Sequence, residues 1–343
     1  MNDRLADLGW SAFFSDQLDP AERGLTPARV AAVHRARLDL LTPSGALSID
    51  PGQPGPFAVG DWLLVLDGTL IRRLDRASEL SRKAAGTGLD RQLIAANVDT
   101  VFVTTSCNAD FNPGRLERYL ALAAEAGARA VILLTKADLV EDPEPYLEQA
   151  RALAPGQQAL ALNGLDAGTV AALRPWTGPG QTVVLLGSSG VGKTTLTNLL
   201  TGRQDPTQGI RAHDAHGRHT TTHRALQPVT GGGWLIDTPG IRELQLTDVA
   251  EGIATVFAEL EELAQQCRFR DCAHQAEPGC AVQAAIAEGR LDPRRLASWD
   301  KLRREDALNS QSLAQTRAQG RRFSKMVKSA VRAKTRMRGG EDD

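Results

Sequence analysis

A glycine-rich stretch at residues 187–195, GSSGVGKTT, restricts the fold of this 343-residue chain more than any other feature. It fits the phosphate-loop pattern G-x-x-x-x-G-K-[ST], follows the apolar run 182–186, and precedes a stretch with helical spacing. The pattern needs a strand before it and a helix after it, because N–H groups of the turn and the helix N-terminus bind phosphate together. The sequence therefore predicts an α/β nucleotide-binding domain with a P-loop.

Each residue type in this loop suits a triphosphate ligand. Glycines let backbone N–H groups approach the phosphate oxygens, where a Cβ atom would collide. We expect Lys193 to reach the β- and γ-phosphates and assist catalysis, and the Thr194 hydroxyl to bind Mg²⁺. The loop residues predicted to contact the nucleotide are Gly187, Ser188, Ser189, Gly190, Val191, Gly192, Lys193, Thr194 and Thr195.

The composition is that of an ordinary globular protein, with 42% apolar and 24% charged residues. No apolar run approaches the length of a membrane span, and Met1–Trp10 carries charges where a signal peptide needs an apolar core. We therefore expect a cytoplasmic, monomeric protein that has no membrane partner and lacks structural disulfides. Its length predicts about two or three domains.

Changes in sequence texture divide the chain into five predicted segments. An N-terminal extension (1–24) precedes short alternating runs punctuated by Gly and Pro (25–86), which predict a β-barrel of the OB-fold type. The barrel could bind RNA or serve only as a packing module. Alternating buried strands and amphipathic helices (90–244) predict a parallel sheet covered on both faces. A zinc-binding helical module (245–300) and a basic helical tail (301–343) complete the multidomain architecture.

The motif TKAD, residues 135–138, follows a predicted buried strand and has the chemistry needed to recognise guanine. Guanine presents two hydrogen-bond donors in line, and the ionised Asp138 carboxylate can accept both, whereas adenine presents an acceptor at N1. Thr135 stands where Asn is usual, and Lys136 follows it. The stretch 161–168 is a candidate for backbone contact with guanine O6.

Two stretches near the phosphate end supply candidate Mg²⁺ ligands. A strand ending in Asp237 leads to Thr-Pro-Gly, so Asp237 can hold Mg²⁺, directly or through water, and the Gly240 N–H can meet the γ-phosphate. The stretch GRHTTTHR has no periodicity and looks like a mobile switch, although a plain flexible loop also fits. Either Thr221 or Thr222 is expected to close on the metal.

The order of these motifs is unusual. The base-recognition element around Asp138 precedes the phosphate loop that begins at Gly187, whereas in ordinary GTPases it follows that loop. This order indicates a circular permutation. As a consequence, the chain beyond Gly240 leaves the sheet and enters the next module.

A cluster of three cysteines and one histidine lies in that next module. Cys267, Cys272, His274 and Cys280 match the ligand set of a closed tetrahedral Zn²⁺ site, and a reducing cytoplasm favours metal over disulfide. With four protein ligands no coordination position is open for catalysis, which indicates a structural role. Buried thiols without a metal and a redox role are the alternatives.

The C-terminal tail carries a regular series of basic residues. At about 100° per residue, their spacing places them on one face of a helix. Residues 310–338 contain no acid, which favours binding to RNA phosphates over a solvated face of mixed charge. The series is Arg317, Arg321, Lys325, Lys328, Arg332 and Arg336.

Together these motifs resemble those of the ribosome small-subunit-dependent GTPase A family of bacteria. The resemblance covers nearly the whole chain, through TKAD, GSSGVGKTT, GRHTTT, DTPGIRE and the C-x4-C-x-H-x5-C cluster. It implies an OB-fold, a permuted GTPase domain and a zinc-binding helical domain. It also implies GTP hydrolysis stimulated by the small ribosomal subunit during late maturation, with GTP or GDP, that subunit and its rRNA as partners. Thr135 and the sequence ALNG, where a Ser-Ala pair is usual, depart from the family pattern and bear on nucleotide affinity.

Hydrolysis poses a specific problem in this sequence. Many GTPases place Gln after the Asp-x-x-Gly glycine to orient the attacking water, but Ile241 occupies that position here. Another group must hold the water, and His219 in the predicted switch is the nearest candidate, with packing or solvent exposure as its alternative. An RNA-binding assembly factor that uses GTP only as a switch, and a P-loop kinase, are the other functions compatible with the motifs.

Replacing Asp138 by asparagine should weaken GTP binding and improve the binding of xanthosine triphosphate. The Asn amide can donate to the oxygen that replaces the guanine amine, and it can no longer accept both guanine donors. Competition between the two nucleotides for wild-type and variant protein measures the switch. Unchanged GTP affinity in the variant would remove TKAD from the nucleotide site.

Overall fold

The computed structural model describes residues 3–52, 55–83, 91–204, 224–237 and 248–310. The chain opens with two short helices, α1 (Asp3–Asp7) and α2 (Ala12–Ser15). This N-terminal arm buries Trp10 and Phe14 against Trp62, and the rings of Trp10 and Trp62 meet edge to face at 4.8 Å. The N-terminal arm is therefore a packed part of the fold.

A small antiparallel β domain follows the arm. Its strands are β1 (Thr26–Val33), β2 (Leu38–Thr42), β3 (Gly45–Ile49), β4 (Trp62–Leu66) and β5 (Thr69–Arg73). They pair in the order β3-β2-β1-β4-β5, and side chains such as Val30, Leu40 and Leu63 fill the core. A pairing of β3 with β5, which would close the barrel, is not among the pairings of the described strands. The OB-fold type therefore stays a prediction.

A two-stranded pair joins this β domain to the rest of the chain. It consists of β6 (Glu79–Lys83) and β7 (Arg91–Ala96). Leu80 and Ile94 belong to the core of the following α/β unit. On the other side, a Cβ atom on Gly60 would lie 2.1 Å from the carbonyl oxygen of Ala96, so only glycine permits this approach. The pair thus packs against both units, across the predicted boundary.

The α/β unit contains the predicted parallel sheet. Its elements are β8 (Thr100–Ser106), α3 (Pro113–Glu125), β9 (Arg129–Thr135), α4 (Glu144–Leu153), β10 (Gln158–Ala161), α5 (Gly168–Leu173), β11 (Thr182–Leu186), α6 (Lys193–Thr201), β12 (Ala225–Pro228) and β13 (Trp234–Asp237). The strands β10-β9-β8-β11-β13 are parallel neighbours in that order, and β12 pairs antiparallel with β13. The sheet continues into the β domain through a single β12–β1 residue pair. Within the described ranges, no helix is both long and apolar enough to cross a membrane.

Both faces of the parallel sheet are covered, because successive side chains of a strand point to opposite faces. In β8, Val101 and Val103 belong to a core with α3 and α4, whereas Phe102 belongs to a second core. The second core includes Trp176, which follows α5, and Leu196 of α6. The prediction of a sheet covered on both faces is confirmed.

A buried cation joins the arm, the β domain and the parallel sheet. Arg29 of β1 is 1% exposed and donates hydrogen bonds to the carbonyl oxygen of Leu8, to Thr182 Oγ1 at 2.7 Å and to the Asn97 carbonyl oxygen at 3.2 Å. Burial lowers the pKa of Arg29 to about 10, which still leaves the guanidinium protonated near neutral pH. The three parts are therefore fixed to one another by one charged side chain.

The C-terminal helices pack on α3. They are α7 (Ala250–Val256), α8 (Ala258–Gln265), α9 (Ala281–Ala287) and a helical stretch over 293–310. Helix α7 crosses α3 so closely that a Cβ atom on Gly252 would lie 2.0 Å from the Ala121 carbonyl oxygen. The Gly252 N–H also donates to Glu125 Oε2 at 2.9 Å. This crossing requires glycine and fixes the C-terminal helices to the sheet.

A buried ion pair holds the same interface. Arg295 Nη1 lies 2.9 Å from Oε1 of Glu117, a fully buried residue of α3, and the Arg295 guanidinium packs 4.3 Å from the Phe257 ring. Arg118 adds a two-pronged contact with Glu305, at 2.5 and 2.6 Å. Arg294 Nη1 also lies 3.1 Å from Glu117 Oε1, but its side chain is partly exposed, so Arg295 is the buried cation of this interface. Loss of a buried partner weakens such a pair strongly.

Replacing Arg295 by alanine should lower the free energy of unfolding by about 3 kcal/mol, because the buried Glu117 carboxylate then keeps only the partly exposed Arg294 as an ion-pair partner. Replacing the pair together, Arg295→Met with Glu117→Leu, should recover most of the loss. Urea unfolding of the full chain measures both. Arg290→Ala breaks the exposed Arg290–Glu288 pair and should cost less than about 1 kcal/mol. An Arg295→Ala cost no larger than that of Arg290→Ala would contradict this role.

Candidate functional site

The phosphate loop lies between β11 and α6, as predicted. A Cβ atom on Gly187 would lie 2.2 Å from the Thr104 carbonyl oxygen, so the loop can begin beside β8 only with glycine. Gly192 has φ of 92°, a conformation that glycine adopts without strain. Ser189 and Gly190 form the exposed tip, and Val191 is buried beneath it. The loop therefore presents its backbone at the carboxyl edge of the sheet.

Lys193, the first residue of α6, folds back over this loop. Its Nζ donates to the carbonyl oxygen of Gly187 at 2.8 Å and to the carbonyl oxygen of Ser188. The ammonium group therefore lies where the loop can hold it beside a bound anion. Thr194 follows in the first helical turn with an exposed side chain, and Thr195 is half-buried.

The base-recognition element stands next to the phosphate loop. Thr135 ends β9, Lys136 adopts a left-handed conformation with φ of 58°, and Asp138 is exposed on the 3₁₀ turn that follows. The buried Thr135 Oγ1 lies 2.6 Å from the Val191 carbonyl oxygen and 3.0 Å from that of Thr105. The Thr135 hydroxyl has one proton to donate, and the Val191 carbonyl oxygen is the nearer acceptor, so Thr135 connects the element to the phosphate loop.

The stretch proposed for contact with guanine O6 adjoins both motifs. It follows β10, the parallel neighbour of β9, and the Leu162 carbonyl oxygen accepts from the Ala137 N–H at 3.3 Å. A Cβ atom on Gly164 would lie 3.3 Å from Cγ2 of Thr195 in α6. The stretch therefore lies beside the TKAD turn and the helix of the phosphate loop.

The predicted Mg²⁺ ligands are only partly described. Asp237 ends β13, whose register with β11 pairs Val184 with Ile236, so Asp237 lies beside the strand that enters the phosphate loop. In a parallel sheet this carboxyl edge is the usual ligand crevice. The remaining switch residues proposed from the sequence lie outside the described residues: His219, Thr221, Thr222, Gly240 and Ile241.

One residue at this edge was not predicted from the sequence. Asp110, in the loop after β8, accepts a hydrogen bond from Ser188 Oγ at 2.6 Å and another from Arg115 Nη1 at 3.0 Å. Burial alone would raise the pKa of Asp110, but these hydrogen bonds and the charges of Arg115 and Lys136 lower it. The sequence does hold a weak signal for Asp110, because this residue closely follows the predicted buried strand β8, and residues at the ends of parallel strands lie near the phosphate loop.

The Cys/His cluster converges as predicted. The ligand atoms of Cys267, Cys272, His274 and Cys280 all lie within 4.8 Å of one another. His274 Nδ1 lies 3.6 Å from Sγ of both Cys267 and Cys280, and these two sulfur atoms are 3.9 Å apart. Four soft or borderline ligands at these separations can hold one metal ion.

The loop around the cluster is held by its own hydrogen bonds. His274 has φ of 56°, its carbonyl oxygen accepts from Gln283 Nε2 at 2.5 Å, and its ring lies 5.6 Å from that of Trp299. Glu277 accepts from three backbone N–H groups, those of Ala273, Gln275 and Ala276. Such contacts orient the ligands before a metal binds.

Two family models match parts of the chain. A model described as RsgA GTPase matches residues 73–247, just over half of the chain. A model described as ABC transporter matches residues 177–325, which include the phosphate loop but not the TKAD element. The RsgA GTPase match alone spans both motifs of the candidate nucleotide site.

Curated relatives are similar over most of the chain. A small ribosomal subunit biogenesis GTPase RsgA from Mesorhizobium japonicum is 56% identical, over 89% of this chain and 91% of its own length. A small ribosomal subunit biogenesis GTPase RsgA 2 from Vibrio parahaemolyticus is 48% identical, over 95% of this chain and 92% of its own length.

Two solved structures share the fold. YjeQ from Thermotoga maritima gives a TM-score of 0.62 at 23% identity, covering 81% of this chain and 97% of that protein. YloQ, described as a circularly permuted GTPase, gives 0.60 at 24% identity, covering 83% and 96%. Here too the base-recognition element after β9 precedes the phosphate loop after β11, in agreement with the predicted permutation. The family match and the identities to relatives together show that this chain belongs to the RsgA GTPase family.

Proposed function

We propose that this protein hydrolyses GTP as a step in the biogenesis of the small ribosomal subunit. The proposal has a nucleotide half, GTP hydrolysis, and a ribosomal half, a role in small-subunit biogenesis. One observation supports the nucleotide half: Thr135 of the TKAD motif donates a hydrogen bond to the Val191 carbonyl oxygen and so joins this motif to the phosphate loop. The ribosomal half is supported by the two relatives, both named small ribosomal subunit biogenesis GTPases. The TKAD element favours guanine over adenine and so disfavours the kinase alternative.

In this proposal the chain binds guanine and phosphates at separate points of one edge. Asp138 accepts the two guanine donors, Thr135 holds the turn against the loop, and Lys136 begins the turn. Lys193 leaves the loop carbonyl oxygens and moves to the β- and γ-phosphates, while the backbone of residues 187–195 surrounds the phosphates. The Gly240 N–H meets the γ-phosphate. Mg²⁺, which neutralises phosphate charge, would be held by Thr194, Asp237 and one of Thr221 and Thr222.

The metal of the Cys/His cluster is Zn²⁺ in this proposal, with a structural role. A tetrahedral zinc with Zn–S bonds of about 2.3 Å and Zn–N bonds of about 2.0–2.1 Å spaces two sulfurs about 3.8 Å apart and sulfur from nitrogen about 3.6 Å. The separations of 3.9 and 3.6 Å among Cys267, Cys280 and His274 agree with that geometry. Four protein ligands leave no open position for chemistry.

The ribosomal contact is assigned to the C-terminal part of the chain. The basic series from Arg317 to Arg336 lies outside the described residues, and its one-sided spacing suits the phosphate backbone of small-subunit rRNA. The protein would act in the cytoplasm as a monomer on that subunit. Because the chain beyond Gly240 leads to the zinc module, docking of this module can reposition the switches.

Turnover of GTP by the full chain, alone and with purified ribosomal subunits, tests the proposal. We expect slow hydrolysis by the isolated protein, because Ile241 cannot orient water, and a large increase with small but not large subunits. Absence of GTP hydrolysis under all conditions would refute the nucleotide half. Slow hydrolysis that small subunits leave unchanged would refute ribosome-stimulated turnover and favour the alternative of an RNA-binding assembly factor that uses GTP only as a switch.

His219→Ala should abolish most of this stimulation, since we assign His219 to the attacking water. A positioned acid–base group contributes about 10²- to 10⁴-fold, so a loss of about a hundredfold or more in stimulated kcat is expected at matched GTP occupancy. His213→Ala, a histidine in the same stretch but outside GRHTTT, is the matched control and should retain stimulation. Full stimulation of His219→Ala would show that another group holds the water.

Protein purified without chelators should contain one zinc ion per chain, and Cys272→Ser should lose it. The C-terminal helices of this variant should then melt at a lower temperature than the α/β unit, because metal binding supplies their folding free energy. Zinc analysis and thermal unfolding followed by circular dichroism measure the two effects. Cys107→Ser, a buried cysteine outside the cluster, should keep its zinc. Wild-type protein that is folded and free of metal would contradict the assignment.

A further inference from the structure

A carboxylate outside the predicted nucleotide contacts touches the phosphate loop. Asp110 lies in the loop between β8 and α3, and its Oδ2 is 2.6 Å from Ser188 Oγ. The contact joins the exits of two neighbouring parallel strands, β8 and β11. We infer that Asp110 is a positioning residue that sets the phosphate loop through Ser188. The inference rests on the proposed nucleotide site.

Asp110 is itself held on several sides. Its Oδ1 accepts from Arg115 Nη1 at 3.0 Å, and its backbone N–H donates to Asn108 Oδ1 at 2.9 Å. Asn112 caps α3 by accepting from the Arg115 N–H at 3.0 Å. The carboxylate therefore has a defined position before it meets Ser188, which a positioning role requires.

Two nearby cations compensate the charge of the Asp110 carboxylate, which lies beside the proposed phosphate site. An unpaired anion here would repel the phosphates. Arg115 forms an ion pair with Asp110 at 3.0 Å, and Lys136 of the base-recognition element adds a second positive charge nearby. Asp110 can then act on Ser188 as a hydrogen-bond acceptor while its charge is compensated.

Ser188 transmits this contact to the part of the loop that binds Lys193. The carbonyl oxygens of Gly187 and Ser188 accept from the Lys193 ammonium, so the Ser188 side chain and backbone are held at the same time. Without Asp110 the Ser188 side chain can rotate, and the loop must be ordered when the nucleotide binds. That ordering cost opposes binding and not the chemical step.

A double-mutant cycle in the full chain separates this role from a general structural one. Asp110→Ala and Ser188→Ala should each raise the Kd for fluorescently labelled GDP about five- to tenfold, the size expected for a half-exposed charge-assisted hydrogen bond. The double variant should be no weaker than either single variant, because all three lack the same bond. For Asp110→Ala, which removes no predicted nucleotide contact, the kcat at saturating GTP should stay within about twofold. Asp110→Asn keeps an oxygen acceptor and should retain most of the affinity.

Asp292→Ala is the matched control, because Asp292, like Asp110, pairs with an arginine but lies just before the C-terminal helical stretch over 293–310. Its Kd should equal that of wild type. Thermal unfolding without nucleotide checks that each variant folds. If Asp110→Ala does not fold, the Kd values of Ser188→Ala and Asp110→Asn for GDP test the inference instead.

Asp110→Ala and Ser188→Ala variants that bind GDP like wild type, or losses that add in the double variant, would overturn the inference. Failure of the wild-type protein to bind GDP would instead refute the proposed nucleotide site.

Discussion

The parallel register of four strands is the constraint on which the candidate site depends. Because β9, β8, β11 and β13 run in the same direction, their carboxyl ends meet at one edge of the sheet. That edge brings together Thr135, Asp110, the phosphate loop and Asp237, which are distant in sequence. Two side-chain hydrogen bonds then connect strand exits: Ser188 to Asp110 joins the neighbours β11 and β8, and Thr135 to Val191 joins β9 to the loop after β11. The phosphate loop is one continuous segment, but the residues around it meet only because the strands pair in the order β9-β8-β11-β13.

The same constraint explains how the motifs can be permuted. Strand pairing depends on which residues lie side by side and not on the order in which the chain visits them, so β9 can precede β11 without moving either motif. What the permutation changes is the exit from β13. That strand lies inside the chain and is followed by α7, which crosses α3 with only a glycine between the backbones. The end of the nucleotide-binding unit is thereby continuous with the helices that carry the Cys/His cluster.

Elements with a local signal were predictable from the sequence, and contacts between distant segments were not. The phosphate loop, β8, β9 and the Cys/His ligands follow from residue spacing and apolar runs, and the structure has them where the sequence predicts. The burial of Arg29 and Arg295 has no local sequence signal, because burial of a charge depends on partners from other segments of the chain. Asp110 escaped prediction for the same reason. Its partner Ser188 belongs to another strand exit, and only the β8–β11 pairing brings the two together.

Helix α3 is shared by the nucleotide edge and the C-terminal helices. Its first turn carries Arg115, which holds Asp110 against the phosphate loop, and the next turn carries Glu117 and Arg118, which bind the C-terminal helices. A displacement of those helices must either break the buried Glu117–Arg295 pair, at a cost of about 3–5 kcal/mol, or carry α3 with it. Movement of α3 displaces Arg115 and therefore Asp110. Since these contacts lie within two turns of one helix, α3 connects the C-terminal helices to the side chain that holds Asp110 beside the phosphate loop.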